Sequence, residues 1–439
     1  MAGEGVGGIF KIPELKNRIL FTLGMLFVFR IGSHIPTPGV NSSVLVEYFR
    51  SMEGTMLQMF DMFTGSNLSQ ATIFALGIMP YISSSIIFQL LTVVLPSLEK
   101  LKKEGEAGQR VITRYTRFGT VVLAAVQGFG ISFWLESLQP SEGLLAVNNP
   151  GWGFRLLTVL TLASGTAFLM WLGEQITERG IGNGISMIIF AGIITDLPVA
   201  MIKTFQQIGI GQLNAVVMVG LLGMMLAVML AIVFMESAQR RIPIHQAKRQ
   251  VGRKQFAGPQ THLPLKLNTS GVIPPIFASS LIMFPMTMAQ FVQPQDAPWL
   301  NSVLNFLTPG KWGYELLYVG MIFFFCFFYT AIIFKPSDIA ENLKKSGGFI
   351  PGIRPGKPTM EYIDKVLSRI TLTGALYLSL VCVIPDMLVA WFNVPFRFGG
   401  TGLLIVVGVG MDTLSQIESH LVMRSYDRFV KRGSLRGRR

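Results

Sequence analysis

The stretch FGTVVLAAVQGFGISFWL, residues Phe118–Leu135, is a run of 18 residues without one charged side chain. A helix of about 20 apolar residues spans the hydrocarbon core of a bilayer. Lipid offers no hydrogen-bond partner to the backbone, so such a segment must satisfy its own amides, as a helix does. The run therefore predicts a membrane-spanning helix, and it lacks the alternation of a β-barrel strand.

Similar apolar runs recur along the whole chain. Half of the 439 residues are hydrophobic and only 14% are charged, whereas a soluble domain carries about 25% charged residues. We predict an all-α polytopic membrane protein with ten transmembrane helices, near Ile19–Ile35, Ala71–Leu95, Phe118–Leu135, Leu156–Leu172, Ile185–Met201, Ala215–Met235, Gly271–Val292, Leu316–Phe334, Ile370–Trp391 and Phe398–Ile417.

Lysine and arginine residues cluster in alternate connections between these segments. If the N-terminus is cytoplasmic, 31 of the 37 lie in the even-numbered connections and the two ends. Cytoplasmic loops carry such an excess of positive charge. We therefore expect both termini in the cytoplasm, and this orientation accounts for the net charge of +13 without a nucleic-acid partner.

Ten spans with both ends on one side divide into two halves of five. We predict an N-terminal half at residues 1–206 and a C-terminal half at residues 207–439. Because five is odd, the halves would lie in opposite orientations, as in inverted-repeat transporters. No convincing identity relates their sequences, so the prediction rests on the count of spans.

No constellation of catalytic residues is apparent in the sequence. There is no Walker phosphate-binding motif, the four histidines lack metal-ligand spacing, and Cys326 and Cys382 each lie in an apolar run. The glycine-rich run Gly180–Gly184 follows a polar turn rather than a strand, which favours a flexible elbow at a helix start over a phosphate loop. We expect neither enzymatic activity nor a cofactor nor a metal site.

The stretch Thr55–Ile73 is unusual because it is moderately apolar yet too short to cross the membrane. It carries Asp61 and the turn residues Gly65, Ser66 and Asn67. Two interpretations remain open from the residues alone. The stretch is either a helix on the outer interface or a re-entrant segment inside a cavity.

An isoleucine stripe marks the second predicted span. Ile78, Ile82 and Ile86 recur every four residues and share one helix face, while Ser83 and Ser84 belong to a polar counter-face. Such a stripe is typical of helix packing. The lining of a pore is the more specific alternative.

Two connections, Glu236–Asn268 and Lys335–Ser368, are long and strongly basic. Glycine and proline residues around Arg354 would hold its guanidinium at a rigid loop tip, and arginine suits carboxylates and phosphates. In the simpler interpretation, the basic residues of both loops are exposed to water and serve only to orient the chain in the membrane. A docking platform for an acidic or RNA-rich partner is the sharper one.

Several long motifs in the same order make the sequence resemble the SecY family of protein-translocation channels over nearly its whole length. These motifs are FRIGSHIPTPGV at Phe29–Val40, FALGIMPYISSSII at Phe74–Ile87, LMWLGEQITERGIGNGIS at Leu169–Ser186, THLPLK at Thr261–Lys266, FIPGIRPG at Phe349–Gly356 and FGGTGLLIVV at Phe398–Val407.

The resemblance implies an hourglass of two five-span halves with an aliphatic constriction and a plug. The matching ring positions are Ile78, Ile82, Ile189, Ile193, Ile276 and Ile405. The plug would cover Thr55–Ser69, including Phe60, Asp61, Phe63, Gly65, Ser66 and Asn67. A ring of isoleucines can close on an extended chain while denying ions a hydrated path.

The resemblance also implies a lateral gate and a docking surface. The second, third, seventh and eighth spans match the gate, with polar positions at Ser83, Ser84, Gln127 and Asn268. The residue that best matches a partner-docking position is Arg354, and Arg253 and Lys254 come next.

The implied partners are the small membrane subunits SecE and SecG, the motor ATPase SecA, the translating ribosome with its rRNA, unfolded preproteins with signal sequences, and membrane lipid. The implied location is the bacterial plasma membrane.

A rival function is a ten-span secondary transporter for a small solute, whose site would comprise Gln127, Asn268 and the serines near Ser84. A purely structural membrane scaffold is the third class considered.

Overall fold

A computed structural model describes residues 12–51, 61, 64–138, 146–209, 215–246, 249–251, 254–256, 261–289, 306, 311–392 and 400–434. The helices and strands, in chain order, are α1 (Pro13–Gly32), α2 (Ser42–Ser51), α3 (Met79–Val94), α4 (Pro96–Lys103), α5 (Glu106–Ser137), α6 (Trp152–Arg179), α7 (Gly184–Gly209), α8 (Ala215–Ser237), β1 (Gln239–Gln246), β2 (Arg249–Val251), β3 (Lys254–Phe256), β4 (Thr261–Lys266), α9 (Ile273–Ala289), α10 (Trp312–Ile333), α11 (Pro336–Lys345), β5 (Gly348–Phe349), α12 (Lys357–Phe392) and α13 (Gly400–Ser434).

Each of the ten predicted spans overlaps a helix, in order α1, α3, α5, α6, α7, α8, α9, α10, α12 and α13. The second span was predicted too long, because its first eight residues, Ala71–Ile78, form turns before α3. Within the described residues, five stretches are long and apolar enough to cross a membrane: Glu106–Ser137, Trp152–Arg179, Trp312–Lys345, Lys357–Pro385 and Gly400–Val422. Shorter apolar stretches lie in α7, α8 and α9. The mostly helical, multi-span architecture is as predicted.

Helices α3 and α4 form a bent pair that counts as a sixth candidate span, with 97° between their axes. Pro96 is at the first turn of α4, where its missing N–H costs nothing. The residue before a proline avoids the helical region, and Leu95 is extended, with φ −97° and ψ 116°. The chain therefore turns sharply where the apolar run ends.

Two ion pairs join α5 to α6, one near each end of the helical hairpin. Arg155 Nη2 lies 2.6 Å from Glu136 Oε2, and Arg117 Nε lies 2.7 Å from Glu174 Oε1. The Arg155 guanidinium also lies 3.9 Å from the ring centre of Phe133. These contacts fix the alignment of the third and fourth predicted spans.

The chain forms two compact units. One comprises Met1–Ile210, Ser280–Lys311 and Ile405–Arg439, and the other comprises Gly211–Ser279 and Trp312–Leu404. The division into halves at residues 1–206 and 207–439 stays a prediction.

A small sheet in the second unit was not predicted from the sequence. Strand β1 pairs antiparallel with β4, from Gln239 opposite Lys266 to Ile244 opposite Thr261, and its end pairs with β5. Strands β2 and β3 form a separate hairpin. The larger sheet and the first turns of α12 share a buried core of Ile242, Leu265, Ile350, Ile363, Leu367 and Ile370. The two basic connections are therefore folded together rather than being loose loops.

Candidate pore, gate and docking surface

The described part of the predicted plug is a compact turn structure organised by Asp61. Its Oδ1 accepts the backbone N–H groups of Leu68 and Ser69, each at 2.9 Å. Its carbonyl accepts the Ser66 N–H and the Thr64 hydroxyl, both at 2.9 Å. Burial raises the pKa of Asp61, although the hydrogen bonds to Ser69 and Leu68 act in the opposite direction. Phe60 and Phe63 lie outside the described residues.

Four residues between Gly65 and Gly77, in and just after the predicted plug, adopt left-handed backbone conformations. Gly65 has φ +73° and Gly77 has φ +56°, while Ser66 and Ala71 have φ +61° and +45°. Such conformations at non-glycine residues cost on the order of 1–3 kcal/mol each. The hydrogen bonds of Asp61 and of Asn67 to Thr64 and Thr72 offset this cost.

The segment is joined to the end of the first span. The Thr37 N–H donates to the Ala71 carbonyl at 2.7 Å, and the Ile73 N–H donates to the Ile35 carbonyl at 3.0 Å. Thr72 also forms an isolated β-bridge with Pro36. The polypeptide on the C-terminal side of the predicted plug is therefore held in a fixed place beside α1.

Thr64 and Gly65 bring the predicted plug against two predicted ring segments. A β-carbon on Gly65 would lie 2.7 Å from the Cα of Gly192, and one on Gly77 would lie 3.1 Å from Thr64 Cγ2. Gly192 precedes Ile193 in α7, and Gly77 precedes Ile78 at the start of α3. The plug thus contacts both segments at positions where a side chain would push it away.

All six predicted ring residues are buried: Ile78, Ile82, Ile189, Ile193, Ile276 and Ile405. Five belong to the first unit, and Ile276 belongs to the second. Ile193 and Ile405 have no exposed surface.

Ser84 of the predicted gate joins the second span to the third. Its hydroxyl donates to the Thr116 carbonyl at 2.8 Å. A β-carbon on Gly119 would lie 2.5 Å from Ser84 Oγ, so a larger residue there would have to displace the Ser84 hydroxyl. Ser83 is half-buried on the same helix. Gln127 is buried in α5, and its Oε1 has no hydrogen-bond partner among the described residues.

Asn268, the fourth predicted gate residue, is bonded within the second unit. Its Nδ2 donates to Glu236 Oε1 at 2.6 Å and to the Gly271 carbonyl at 3.0 Å, and its Oδ1 accepts the Ser270 hydroxyl. Glu236 lies in the last turn of α8, and Asn268 precedes α9. The described contacts of Asn268 therefore connect the spans that flank the sheet.

A contact between the second and seventh spans was missed in the sequence analysis. The Ser280 hydroxyl of α9 lies 3.8 Å from the sulfur of Met79, next to Ile78. Ser279 and Ser280 are both buried in an apolar helix. This pair of small polar residues was the available signal, because such residues are enriched where membrane helices meet.

Arg354 lies exposed at the tip of a braced loop. The Thr359 hydroxyl donates to the Arg354 carbonyl at 2.8 Å, and Gly352 and Gly356 have φ +81° and +105°. Ile350 anchors the loop in the sheet core. Arg253 lies outside the described residues, and Lys254 begins β3, where its side chain is not described.

The backbone amides of the glycine-rich run Gly180–Gly184 donate hydrogen bonds to neighbouring groups of the protein. Five backbone amides of this turn and of the helix start donate to Ile176 O, Thr22 Oγ1, Gln416 Oε1, Thr177 Oγ1 and Asn183 Oδ1. Arg18 also donates to the Gly180 carbonyl. A phosphate would have to displace these acceptors, so the bonds favour a structural turn at the start of α7 over a phosphate loop.

Comparison with known proteins gives a clear family match. The sequence model of the SecY family matches residues 72–414. The protein translocase subunit SecY of Escherichia coli strain K12 is 53% identical over 427 residues, which cover 97% of this chain and 96% of that one. The corresponding subunit of Aquifex aeolicus is 45% identical over 430 residues, covering 98% and 100%.

Solved structures with low sequence identity share the fold. The structure of a protein-conducting channel aligns with a TM-score of 0.68 at 18% identity, over 95% of this chain and 97% of that one. A structure concerning the SecY plug domain and the closed state aligns with a TM-score of 0.67, also at 18% identity and the same coverages. A channel in a canine ribosome–channel complex aligns with a TM-score of 0.63 at 16% identity, over 95% and 97%.

Proposed function

The chain belongs to the SecY family of protein-conducting channel subunits, and from this premise we propose how its residues perform the task. Unfolded secretory polypeptides pass between the isoleucine side chains of the ring, and apolar segments leave sideways into lipid. The channel is not an enzyme, so transport is driven by a partner. Family membership decides against the ten-span transporter for a small solute.

The contact of Gly65 with Gly192 carries this proposal most directly. Gly65 of the proposed plug meets the residue that precedes Ile193, and Thr64 meets Gly77, which precedes Ile78, and these two contacts support the proposal. In the resting channel, the plug covers the ring from the outer side. A translocating chain displaces it, because two stretches of backbone in direct contact leave no room for a third.

The ring closes the pore by excluding water rather than by charge. Isoleucine side chains from several helices offer no hydrogen-bond partner to an ion or its hydration shell, and a narrow apolar constriction gates by dewetting. The ring positions are Ile78, Ile82, Ile189, Ile193, Ile276 and Ile405, and their burial supports this assignment.

The lateral gate opens between the second and third spans on one side and the seventh and eighth on the other. The bond from Ser84 to Thr116 keeps α3 and α5 together as one side. Gln127 contributes a buried polar group that gains a partner when the gate rearranges. Hydrogen bonds between membrane helices contribute about 0.6 kcal/mol each, so the gate can open reversibly.

The docking surface is formed by Arg354, Arg253 and Lys254 on the two basic connections. Arg354 is exposed on a rigid loop, which suits contact with a carboxylate-rich or phosphate-rich surface. We assign SecA and the translating ribosome to this surface and SecE and SecG to the membrane helices. A related channel is found in a canine ribosome complex, which supports the ribosomal part of this assignment.

The proposed location is the bacterial plasma membrane, with both termini in the cytoplasm. The excess of lysine and arginine in the even-numbered connections supports this orientation. The docking surface then faces the cytoplasm, where the motor and the ribosome are found.

Reconstitution tests the function. The chain is inserted into vesicles with SecE and SecG, and SecA, ATP and an unfolded precursor bearing a signal sequence are added. We expect protease-protected product that depends on the chain and on ATP. Vesicles lacking only this chain are the control, and equal protection in them would contradict the proposal.

A further inference from the structure

The inter-span turn, defined as Gly180–Gly184 between α6 and α7, is bonded to two further helices of the first unit, α1 and α13. Beyond its bonds to α1, it contacts the last long helix, α13. The Gly182 N–H donates to Gln416 Oε1 at 2.8 Å. Further along both helices, Thr413 Oγ1 lies 3.6 Å from Met187 Sδ. We call these four residues the clasp.

Gly182 allows α13 to come this close to the turn. Its φ of +87° favours glycine, and a β-carbon there would lie 3.2 Å from Thr413 Oγ1. The close approach of α13 and the hydrogen bond to Gln416 therefore both depend on the backbone conformation of Gly182. The residue numbers of α7 rise while those of α13 fall across the two contacts, so the helices are antiparallel where they meet.

The clasp fixes the relative register of two helices that carry ring residues. Ile193 lies 11 residues after Gly182, and Ile405 lies 11 residues before Gln416. At 1.5 Å per helical residue, both isoleucines are about 16 Å along the chain from the hydrogen bond between Gly182 and Gln416. They therefore lie at similar depths along the two helices, and both are fully buried.

We propose that Gln416 is a positioning residue that sets the separation and register of Ile193 and Ile405 through its bond to Gly182. A tilt of about 5° about the clasp moves either isoleucine by about 1–2 Å over this lever. Gln416 is exposed, so water can replace it as the acceptor and the clasp can release when the ring must widen. The inference rests on the proposed function, because it takes both isoleucines as members of the ring.

The test measures position and leak separately. Cys326 and Cys382 are replaced by alanine, and spin labels are attached to cysteines at Ile194 and Val406, the neighbours of the two ring residues. Gln416→Leu removes the acceptor, whereas Gln416→Glu keeps one. Thr413→Val is a second variant that disturbs the other contact of the clasp, and Gln109→Leu repeats the leucine change at an exposed glutamine outside it.

We expect Gln416→Leu to shift or broaden the distance between the labels by about 1–2 Å and to raise the resting ion leak in planar bilayers. Gln416→Glu and Gln109→Leu should match the parent. An unchanged distance in both Gln416→Leu and Thr413→Val would overturn the inference. A changed distance with an unchanged leak would support the clasp but contradict the ring of the proposed function.

Discussion

Gly65 and Gly192 lie with their backbones in direct contact, since a β-carbon on Gly65 would be 2.7 Å from the Cα of Gly192. One residue belongs to the proposed plug, and the other belongs to the helix that carries the proposed ring residues Ile189 and Ile193. If both assignments hold, this single contact relates the position of the plug to that of a helix of the ring. A substitution at this contact should therefore separate the proposed plug from the helix.

Gly192→Val should displace the plug and raise the resting ion leak. A β-carbon at Gly192 would lie 3.3 Å from the Gly65 Cα and 3.4 Å from the Gly65 nitrogen, so the larger side chain of valine should push the Gly65 backbone away. Planar-bilayer conductance of the reconstituted channel measures the effect. Gly220→Val is the matched control, because no atom lies within 4 Å of a β-carbon at that position. Equal conductance of the two variants would refute the plug contact.

Replacing ring isoleucines by glycine should also raise the leak. Ile193→Gly and Ile405→Gly each remove a fully buried side chain, which widens the apolar constriction and lets water and ions enter. The effect should increase when both changes are combined. Ile87→Gly, at an exposed position of α3, is the control. A ring assignment for Ile193 and Ile405 would fail if conductance stayed at the control level.

Asp61→Ala should loosen the plug, whereas Asp61→Asn should not. Alanine removes the acceptor of the Leu68 and Ser69 amides, a loss of about 1–3 kcal/mol for buried groups, while asparagine retains Oδ1. Hydrogen exchange of residues 64–72 measures the change. Equal protection in the two variants would contradict the organising role of Asp61.

The charge of Asp61 gives this comparison a pH dependence. Burial raises the pKa of Asp61, so its stabilising contribution is complete below the unfolded-chain pKa of 3.8 and is lost as pH rises through the higher folded-state pKa. Asp61→Asn stays neutral throughout. Its plug should therefore be better protected than the parent's at neutral pH, and the difference should vanish in acid. A difference in hydrogen-exchange protection that grows in acid would contradict this prediction.

Asn268→Asp should destabilise the second unit, because it would bring a second carboxylate beside Glu236, whose Oε1 now lies 2.6 Å from the Asn268 amide nitrogen. Adding Glu236→Gln should restore a carboxylate–amide pair with the roles exchanged. The Tm of the purified protein in detergent measures both effects, with an expected cost of about 1–3 kcal/mol for the single variant. Additive effects in the double variant would show that the two residues do not interact.

Arg354→Glu should weaken transport driven by SecA or the ribosome without preventing membrane insertion of the chain. The side chain is exposed, so the loop should keep its fold, and charge reversal should repel an acidic or phosphate-rich partner. Translocation into vesicles and partner binding are measured at several salt concentrations. Lys311→Glu, in a connection predicted to lie on the outer side, is the control. Undiminished binding by the Arg354 variant would remove the docking role.

The predicted spans agree with the helices because hydrophobic length is a local property of the chain. The run Phe118–Leu135 lies within α5 and the run Leu156–Leu172 lies within α6. The sheet was missed because β1 and β4 are strongly charged or contain proline, as in the QRRIPIHQ sequence of β1. These strands are stabilised by pairing with each other and by Ile242 and Leu265 in a shared core.

The candidate site was predicted residue by residue only through the family resemblance. Periodicity by itself left Ile78, Ile82 and Ile86 open between helix packing and a pore lining. The partners of Asn268 could not have been predicted, because Glu236 is 32 residues away and meets it only when β1 pairs with β4. The Gly180–Gly184 run was predicted as a flexible elbow, whereas its amides are bonded to three other helices.

The sequence by itself determined the class of the protein, its ten apolar segments and the asymmetry of its basic connections, since each depends on residues close together in the chain. Tertiary structure alone decided that Gly65 meets Gly192 and that Gln416 meets Gly182, at separations of 127 and 234 residues. The physical reason is that a glycine specifies only the absence of a side chain. Which backbone or acceptor fills the space that it leaves depends on how distant helices pack.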